Sequence, residues 1–586
     1  MKIKNKYHNY DKHPYKEIPG FEKEAWEGRE GIGSELRQAV KAVLEKQKKA
    51  VLFLDCYPGV DKEEIFTLIR PLQPAVFIDM DTLAKPEEVM EKEFDDYMTD
   101  DRVFGILCHK KLKDFFDPQA LESAGKKLRE TEGGLCIAAG VGAGFLGQAD
   151  IYIYCDMTRW EIQLRYRRGM PNWNRSNGQA PSLTKVKCGF FIEWRLADRY
   201  KEERYDQFDY VLETEDAGRP KMITGAAFRA GLDALSRQPF RLEPYFDPGV
   251  WGGHWMQTIF DLDPDAKNFA WSFDGVPEEN AINLKFGDVT VKLPAMDLVL
   301  YRPRPLLGER VYARFGAEFP IRFDLLDTMG VGNLSLQVHP LTKYIQDQFG
   351  MHYTQDESYY FLDTDEEEET YMYLGVKEHA DPAAMERDLK RAERGEIPFP
   401  AETYVNKVPV KKHDHISIPA GTVHCSGKNT MVLEISATPY IFTFKLWDWG
   451  RVGLDGIPRP IHVDRGMKNI QFDRDTRWIQ ENLLHQEKTI REEEGIRIER
   501  TGLHRLEFID TYRYSLTKPA EAACEDSVHV INLVEGACAQ IQSIDGSFAP
   551  FEIHYAETAI LPAAIGRYRI VPVSGEIKML TASVRR

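Results

Sequence analysis

Four side chains in the middle of the chain have the types and spacing of metal ligands. Gln337 and His339 lie two residues apart in NLSLQVHP, so both leave the same face of a predicted strand. Glu357 begins the next strand-like segment, and His424 follows the Pro-Ala-Gly turn of HISIPAGTVHCSG. Nitrogen and oxygen donors of this kind suit a borderline divalent metal, with water or substrate completing the coordination shell. We therefore predict a metal site built from these four residues.

The elements that must position these ligands are predicted to be short strands at close spacing, which is typical of an all-β sandwich or barrel. A helix is predicted to interrupt them at 382–395, and the charged stretch 476–495 is also predicted to be helical. Further short strands follow to the C-terminus. A stretch rich in Pro, Gly and aromatic residues at 238–255 marks the boundary with the preceding region.

The first part of the chain has a different pattern, in which apolar strands alternate with polar helical stretches such as Asp61–Leu68 and Pro118–Glu130. This alternation predicts an α/β domain with a largely parallel sheet. The predicted strands are 50–56, 75–81, 103–109, 133–139 and 149–156.

Two loops in this first region have the outline of phosphate-binding motifs. GAGFLG at 142–147 matches GxGxxG, but strand-like residues follow it instead of the helix that a dinucleotide site needs. DCYPGVDKEEI follows the first apolar strand, yet it lacks GxxxxGK[ST]. Asp61 and Glu63 flank its Lys62, and carboxylates there would repel a phosphate. Neither loop is predicted to bind a nucleotide phosphate in the usual way.

The segment IYIYCDMTRWEIQLRYRRG resembles the strand and lid of nucleoside-kinase-like P-loop proteins, and its arginines are Arg159, Arg165, Arg167 and Arg168. The resemblance covers about residues 45–235. It implies a kinase-like α/β fold that lacks ATP hydrolysis. The alternative for the arginines is an exposed helix face.

The rest of the chain resembles the class I, cupin-type mannose-6-phosphate isomerases. The resemblance rests on QVHP, a glutamate 18 residues later, IPAGTVH and LWDWGR, supported by VWGGHW, FAWSFDGVPEENAI, GAEFPIRFDLLDT and MYLGVKE. It covers about residues 245–586. It implies two cupin β-barrels and a zinc ion held by the four predicted ligands. The implied reaction interconverts mannose 6-phosphate and fructose 6-phosphate through an enediol.

The resemblance also implies roles for residues around the metal. Arg451 would stabilise developing negative charge, although a structural salt bridge with Asp448 is the alternative. Glu434 would line the pocket, and the base stays open between Glu434, His254 and other pocket groups. The groups expected to bind the substrate are Lys445, Lys343 and His254, with Lys428 and Arg459 as further cations.

Two departures from the family pattern bear on the substrate. Gln355 and Asp324 stand where the family has lysines, so the ring of basic groups for a phosphate is thinner. One alternative is therefore an isomerase or epimerase of a different or unphosphorylated sugar, and a second is a catalytically silent, sugar-binding regulatory cupin. The acidic run Asp363–Glu369 is interpreted as a solvated hairpin tip.

Composition limits the remaining possibilities. The 586 residues carry 93 Asp and Glu against 76 Lys and Arg, a net charge of −17, which opposes a broad nucleic-acid footprint. The sequence lacks the apolar run of about 18 residues that a membrane span needs. The eight scattered cysteines never form CxxC, so we expect neither a disulfide framework nor a cysteine zinc site, and a cytoplasmic location. Nothing indicates the oligomeric state.

These observations combine into an α/β plus all-β chain of three predicted domains. A kinase-like parallel α/β domain at 1–240 precedes a metal-binding catalytic cupin with a small helical insertion at 241–480. A second cupin occupies 481–586.

Overall fold

The computed structural model describes residues 7–437, 440, 442–454, 456, 458–502 and 504–586. They form two compact units. The N-terminal unit is Tyr15–Leu235 together with Ala281–Arg302, and the C-terminal unit is the described chain up to Pro14, Ser236–Asn280 and Pro303–Arg586. The further division of the C-terminal unit at residue 481 stays a prediction.

The described secondary structure contains many short strands and helices, numbered here along the chain. The strands are β1 (Lys16–Glu17), β2 (Ala25–Glu27), β3 (Lys49–Cys56), β4 (Val76–Asp79), β5 (Gly134–Gly140), β6 (Ile151–Asp156), β7 (Tyr210–Glu213), β8 (Lys221–Thr224), β9 (Tyr245–Asp247), β10 (Trp271–Gly275), β11 (Ala281–Phe286), β12 (Val289–Pro294), β13 (Arg322–Asp327), β14 (Leu336–Val338), β15 (Glu357–Thr364), β16 (Tyr371–Val376), β17 (Val405–Pro409), β18 (His415–Ile418), β19 (His424–Ser426), β20 (Thr430–Ser436), β21 (Phe444–Trp447), β22 (Lys488–Glu493), β23 (Ile496–Thr501), β24 (Ile509–Leu516), β25 (Ala520–Ala523), β26 (His529–Glu535), β27 (Cys538–Ser543), β28 (Phe551–His554), β29 (Thr558–Leu561), β30 (Arg567–Pro572) and β31 (Ile577–Val584). The helices are α1 (Gly28–Leu44), α2 (Lys62–Ile69), α3 (Glu87–Met98), α4 (Pro118–Glu130), α5 (Arg159–Arg167), α6 (Ser182–Cys188), α7 (Trp194–Glu202), α8 (Gly225–Leu235), α9 (Trp255–Ile259), α10 (Ala295–Tyr301), α11 (Pro303–Leu307), α12 (Glu309–Phe315), α13 (Thr342–Phe349), α14 (Pro382–Glu393), α15 (Ala401–Tyr404), α16 (Val463–Met467) and α17 (Thr476–Asn482).

A seven-stranded sheet forms the centre of the N-terminal unit, in the order β2-β8-β7-β6-β3-β5-β4. The five strands from β7 to β4 are parallel, and β8 and β2 add antiparallel strands at one edge. The central strand β3 is almost wholly buried, as expected for a strand covered on both faces by helices. The prediction of an α/β region with a largely parallel sheet is confirmed, as are the helices at α2 and α4.

One of the five predicted strands in this unit is wrong. Residues 103–109 form no strand, although Phe104, Leu107 and Cys108 are buried. Their backbone bonds elsewhere: the N–H of Ile106 donates to Tyr97 and that of Cys108 to Phe191. A short apolar run marks burial but does not by itself distinguish a strand from a buried loop.

A segment distant in sequence completes the N-terminal unit. The β11–β12 hairpin pairs with β1, and α10 brings Asp297 against Lys201. Lys201 is 2% exposed and also bonds Asp156 at 2.5 Å. The two carboxylates compensate the buried ammonium, which would otherwise be costly to remove from water.

Antiparallel sheets make up the C-terminal unit. Its first part contains a six-stranded sheet, β18-β15-β20-β13-β10-β9, and a five-stranded sheet, β17-β16-β19-β14-β21. Its last part contains β22-β23-β24-β31-β26-β29 and β25-β30-β27-β28, and side chains of both these sheets share one apolar core. The whole chain is thus a mixed α/β structure with many sheets.

The predicted helix at 382–395 is present as α14, but the predicted helix at 476–495 is only partly correct. The helix α17 ends at Asn482, and Lys488–Glu493 is the exposed strand β22, paired with β23. The Glu and Lys content favours a helix locally, whereas pairing with a neighbouring strand decides the conformation. Charged side chains on this edge strand also discourage pairing with another chain.

Candidate metal centre

Strands of two different sheets position the predicted ligands. On the five-stranded sheet, Gln337 of β14 lies directly opposite His424 of β19, so both side chains leave the same face. His339 follows β14 one residue after it ends. Glu357 is the first residue of β15 and belongs to the six-stranded sheet. Side chains from both sheets therefore meet at one point.

The four side chains converge within hydrogen-bonding distance. His339 Nε2 lies 3.0 Å from Glu357 Oε2, and His424 Nε2 lies 2.8 Å from Glu357 Oε1. The amide of Gln337 lies 3.1 Å from His424 Nε2. The side chains of His339, Glu357 and His424 are wholly buried. Together these three form a group that could hold a metal ion.

Backbone carbonyls orient both imidazole rings. His339 Nδ1 lies 2.8 Å from the carbonyl oxygen of Phe442, and His424 Nδ1 lies 2.9 Å from that of Thr422. A carbonyl oxygen can only accept a hydrogen bond, so each ring carries a hydrogen on Nδ1 and directs Nε2 inward, toward Glu357. Metal-binding histidines are commonly held in this way.

The inward-facing atoms fit a metal better than they fit one another. Neither His339 Nε2 nor Glu357 Oε1 has a well-oriented hydrogen-bond partner among the described residues, although both are buried. Burial acts against ionisation of Glu357, yet His339 and His424 hold its pKa well below the ordinary value. Two imidazole nitrogens and a carboxylate, with an amide oxygen when Gln337 is turned, match the donor preferences of zinc.

A second polar group surrounds Glu357 on the same side of the six-stranded sheet. Asp324, Glu434 and Tyr359 lie in one row across β13, β20 and β15. Gln355 donates to Glu357 Oε2 at 3.0 Å and lies 3.5 Å from Glu434 Oε1. Burial, then Glu357 and Asp324, raise the pKa of Glu434 well above its ordinary value. A carboxyl that holds its proton thus lies beside the candidate metal ligands.

Arg322 was not singled out from the sequence, and it is the buried cation of this group. It lies in the row next to Asp324, opposite Ser436, which in turn lies opposite Glu357. It is 1% exposed, and its three guanidinium nitrogens have no hydrogen-bond partner among the described residues. The sequence signal was an arginine between apolar residues in a strand, PIRFD. Nearby Asp324 raises its pKa despite burial.

The chain is similar to mannose-6-phosphate isomerases. It is 21% identical over 338 residues to mannose-6-phosphate isomerase ManA of Bacillus subtilis, covering 57% of this chain and 96% of that protein. It is 27% identical over 233 residues to the probable mannose-6-phosphate isomerase GmuF of the same organism, covering 40% and 68% respectively. The crystal structure of the Bacillus subtilis mannose 6-phosphate isomerase aligns with a TM-score of 0.48 at 19% identity, covering 59% of this chain and 99% of that one.

A different family model matches the first part of the chain. Residues 31–237 match a family described as a domain of unknown function, DUF8485. The match lies within the range predicted for the α/β domain. It leaves the activity of this part open, and the kinase-like fold stays a prediction.

Arg451 is held by hydrogen bonds to Asp448 of its own loop and to Asn333. Its NH2 group bonds Asp448 Oδ1 at 2.8 Å, and its NH1 group donates to the carbonyl of Asn333 at 2.8 Å. Arg451 also lowers the pKa of the Cys425 thiol, which burial nevertheless keeps raised. Cys425 follows His424 in β19, and neighbouring residues of a strand point to opposite faces. The bond between Arg451 and Asp448 shows that the structural salt bridge is present in this conformation.

The other predicted substrate groups differ in position. Lys445 lies directly opposite Gln337 in the sheet and so shares its face. Lys343 is 85% exposed and pairs with Asp347 within α13, while His254 is exposed and bonds Gln257. No described contact joins Lys343 or His254 to the metal-binding group.

The structure also describes the surroundings of Arg459, Lys428 and the acidic run. Arg459 joins Arg451 on Asp448, at 3.1 Å, and the side chain of Lys428 is half-buried. The acidic run Asp363–Glu369 begins in β15 and continues into the turn before β16, where Glu366–Glu369 are exposed as expected. The turn is not a hairpin tip, because β15 and β16 belong to different sheets. A second candidate group, partly exposed, is formed by Cys538, Glu552 and His554 on β27 and β28.

The GxGxxG loop is filled by the protein itself. Asp55, at the end of β3, accepts the backbone N–H groups of Gly142, Ala143 and Gly144 at 2.8–3.2 Å. The hydroxyl of Tyr152 also donates to it, at 2.6 Å. A carboxylate thus occupies the anion-binding position of the loop, which agrees with the expectation that the motif is not a dinucleotide site.

Proposed function

We propose that the chain is a zinc-dependent aldose–ketose isomerase that interconverts mannose 6-phosphate and fructose 6-phosphate through an enediol. The observation that carries the proposal is the convergence of His339, Glu357 and His424, with both imidazoles anchored through Nδ1. The similarity to proteins named mannose-6-phosphate isomerases supports it, at 21% and 27% identity. We further propose a cytoplasmic location and a small-molecule sugar phosphate as the substrate.

Gln337, His339, Glu357 and His424 would hold the zinc. A bound zinc ion supplies a Lewis acid next to the oxygens of the substrate. The backbone carbonyls of Phe442 and Thr422 keep the rings in place, so the site is organised before anything binds. Tyr359 and the neighbouring strands exclude bulk water from one side.

The isomerisation moves a proton between C1 and C2 of the sugar. Such a step needs a group that takes the proton and returns it, with a pKa near the working pH. Glu434 is the buried carboxyl next to the ligand group; burial raises its pKa, and a divalent cation bound beside it would lower the pKa again. We assign the proton transfer to Glu434. Gln355, between Glu434 and Glu357, positions both carboxyl groups.

Arg451 is proposed as the cation that stabilises charge on the enediol oxygens. Its loop contains the glycines Gly450 and Gly453, and its present partner Asp448 also pairs with Arg459. Release of Arg451 would therefore leave Asp448 compensated. Lys445, which shares the face of Gln337, is the cation best placed for substrate binding.

A second candidate function is the isomerisation of an unphosphorylated sugar. Arg322 is the cation of the inner polar group, and Asp324, Glu279, Glu278 and Glu434 all contribute to its raised pKa. An excess of carboxylates there opposes a dianionic phosphate, whereas sugar hydroxyls can bond to carboxylates without charge repulsion. The acidic environment of Arg322 is the observation that favours this candidate.

A turnover assay separates the candidates. Purified protein is supplied with mannose 6-phosphate, mannose and other free aldoses, and ketose formation is measured. Turnover of mannose 6-phosphate above that of mannose supports the first proposal, and the reverse order supports the second. Sugar-dependent thermal stabilisation without any product would instead indicate a silent, sugar-binding protein.

A further inference from the structure

The N-terminal unit contains a cavity that the isomerase site does not use. Its volume is about 770 Å³, within the usual size range of small-molecule sites. It opens at the carboxyl ends of the parallel strands, between the loops that follow β3, β4, β5, β6 and β7. Ligands of open α/β sheets bind at this edge. Its charged lining residues include Lys62, Asp81, Glu161, Arg165, Arg168 and Glu215.

The cations that line the cavity are already neutralised. Lys62 Nζ lies 2.7 Å from Asp81 Oδ2, and Arg165 Nε lies 3.2 Å from Glu161 Oε1. Arg168 also bonds Glu161. Acidic residues outnumber basic residues in the lining, six to three. A polyphosphate would therefore meet no free positive charge and several negative ones.

Several backbone N–H groups that could hold an anion at this edge already donate to side chains of the protein. Asp55 occupies the N–H groups of the loop after β5. Asp61 accepts the N–H of Glu63 at the start of α2, and Thr158 accepts that of Glu161 at the start of α5. Glu215 accepts the N–H of Thr158 at 2.6 Å. The protein's own oxygens thus occupy one first-turn N–H group of each of these helices, the position at which related architectures bind phosphate.

What the cavity offers instead is a dense set of oriented donors and acceptors. Paired carboxylates keep free lone pairs that accept hydroxyl protons, and the paired guanidinium groups keep N–H donors. Burial raises the pKa of Glu215 to about 8, so this carboxyl adds a donor at neutral pH. Trp173, held by a 2.9 Å bond to Asp81, supplies an apolar wall against Phe115 and Phe116.

We propose that this cavity binds a neutral, polyhydroxylated small molecule, a free sugar or a nucleoside, and not a nucleotide. Hydroxyl groups satisfy the paired carboxylates and guanidinium groups without disturbing the charge balance. The rigid wall at Trp173 packs against the ring of the ligand.

The test is calorimetric titration of the full chain with a panel of free sugars, a panel of nucleosides, and ATP with magnesium. The expected result is saturable binding of a sugar or a nucleoside, the two panels distinguishing the source, and no binding of ATP. Glu161→Gln removes the negative charge shared by Arg165 and Arg168 and replaces one acceptor oxygen with an NH2 donor, and it should weaken binding about tenfold or more. Glu122→Gln, an exposed carboxylate of α4 paired with Arg129, is the matched control and should bind as the unaltered chain does.

A second variant tests binding without removing a charged residue, in case Glu161→Gln fails to fold. Ala217→Trp fills the mouth of the cavity from an exposed loop without removing a charge, and should abolish binding. Isomerase turnover measured on the same samples separates cavity binding from binding at the metal centre, and neither variant should change it. The proposal is overturned if ATP binds and Lys62→Ala abolishes that binding. It is equally overturned if neither panel binds, or if binding survives both Glu161→Gln and Ala217→Trp.

Discussion

Gln355 donates its side-chain N–H to Glu357 Oε2 at 3.0 Å, while its own oxygen accepts the backbone N–H of Phe442 at 2.9 Å. Phe442 in turn offers its carbonyl to His339 Nδ1. One neutral side chain therefore links a candidate carboxylate ligand to the backbone that orients a candidate imidazole ligand. The family pattern has a lysine at this position, so the site is reinforced by an amide where a cation is expected.

This substitution and Asp324 predict how substrate preference can be moved. Gln355→Lys adds a cation beside Glu357 and Glu434, and Asp324→Asn removes a carboxylate from the same group. We expect the double variant to raise the ratio of kcat/KM for mannose 6-phosphate to that for mannose by about tenfold, through reduced repulsion of the phosphate. Steady-state kinetics on both sugars measures the ratio. Asp365→Asn, in the turn between β15 and β16, is the control, and an unchanged ratio in the double variant would count against a role for these positions.

Arg451 distinguishes a catalytic cation from a structural salt bridge. If it stabilises charge on the enediol, Arg451→Ala should lower kcat by about 10²-fold or more and leave KM nearly unchanged. Arg459→Ala removes the other partner of Asp448 and serves as the matched control. Kinetics and thermal unfolding are measured on both variants. If Arg451→Ala keeps full kcat and loses as much Tm as Arg459→Ala, Arg451 serves only the salt bridge.

His415 predicts a loss of stability in acid. Burial, followed by the charge of Arg513, lowers the pKa of His415 to about 3, whereas an unfolded histidine has a pKa near 6.5. Between these values the unfolded state binds the proton and the folded state does not, so the free energy of unfolding falls as the pH decreases. Each pH unit in that window costs about 1.4 kcal/mol from this group.

Denaturant unfolding at several pH values measures this slope. His415→Asn should remove its share of the slope between pH 6.5 and 3, because asparagine does not titrate. His504→Asn, whose histidine is also shifted, to about 4, but is only half-buried, should change the slope less. An identical slope in the unaltered chain and His415→Asn would contradict the prediction.

Lys201 predicts a large effect on the N-terminal unit. Its ammonium lies between Asp156 and Asp297, with the rings of Tyr57 and Tyr154 each 5.2 Å away. Lys201→Met leaves two buried carboxylates without their cation, which should cost about 3–5 kcal/mol of unfolding free energy. Urea unfolding measures the change, and Lys41→Met, at an exposed pair on α1, should cost less than about 1 kcal/mol. If Lys201→Met lowers the unfolding free energy by as little as Lys41→Met does, the cluster of Lys201, Asp156 and Asp297 does not stabilise the unit.

The sequence predicted the elements and groups whose signals are local. The strand alternation in QVHP and the turn before His424 identified residues that the structure brings together. Long-range relationships were not accessible in the same way. Asp55 fills the loop at Gly142 from 87 residues away, and Arg322 lies beside Glu357 only because β20 pairs with both their strands.

The roles of His254 and Lys343 in substrate binding stay predictions, because residue type and motif do not reveal which face of a helix or turn meets the pocket. The expectations that the structure contradicts have physical causes. The segment 103–109 was apolar because it is buried, not because it pairs in a sheet. The segment Ala281–Arg302 joins the N-terminal unit through long-range contacts, such as the pairing of β11 with β1 and the ion pair of Asp297 with Lys201, 96 positions apart. No local sequence pattern predicts such contacts.

Gln337, His339, Glu357 and His424 are proposed to hold a metal that isomerisation needs. The most direct measurement is the zinc content of the purified full chain together with ketose formation from mannose 6-phosphate, before and after chelation. We predict one zinc per chain at this site, loss of turnover with the metal, and recovery on adding zinc. His424→Ala should lose both metal and turnover, while His462→Ala, a histidine outside the ligand group, should keep them. Full turnover by metal-free protein, or by His424→Ala, would contradict the account.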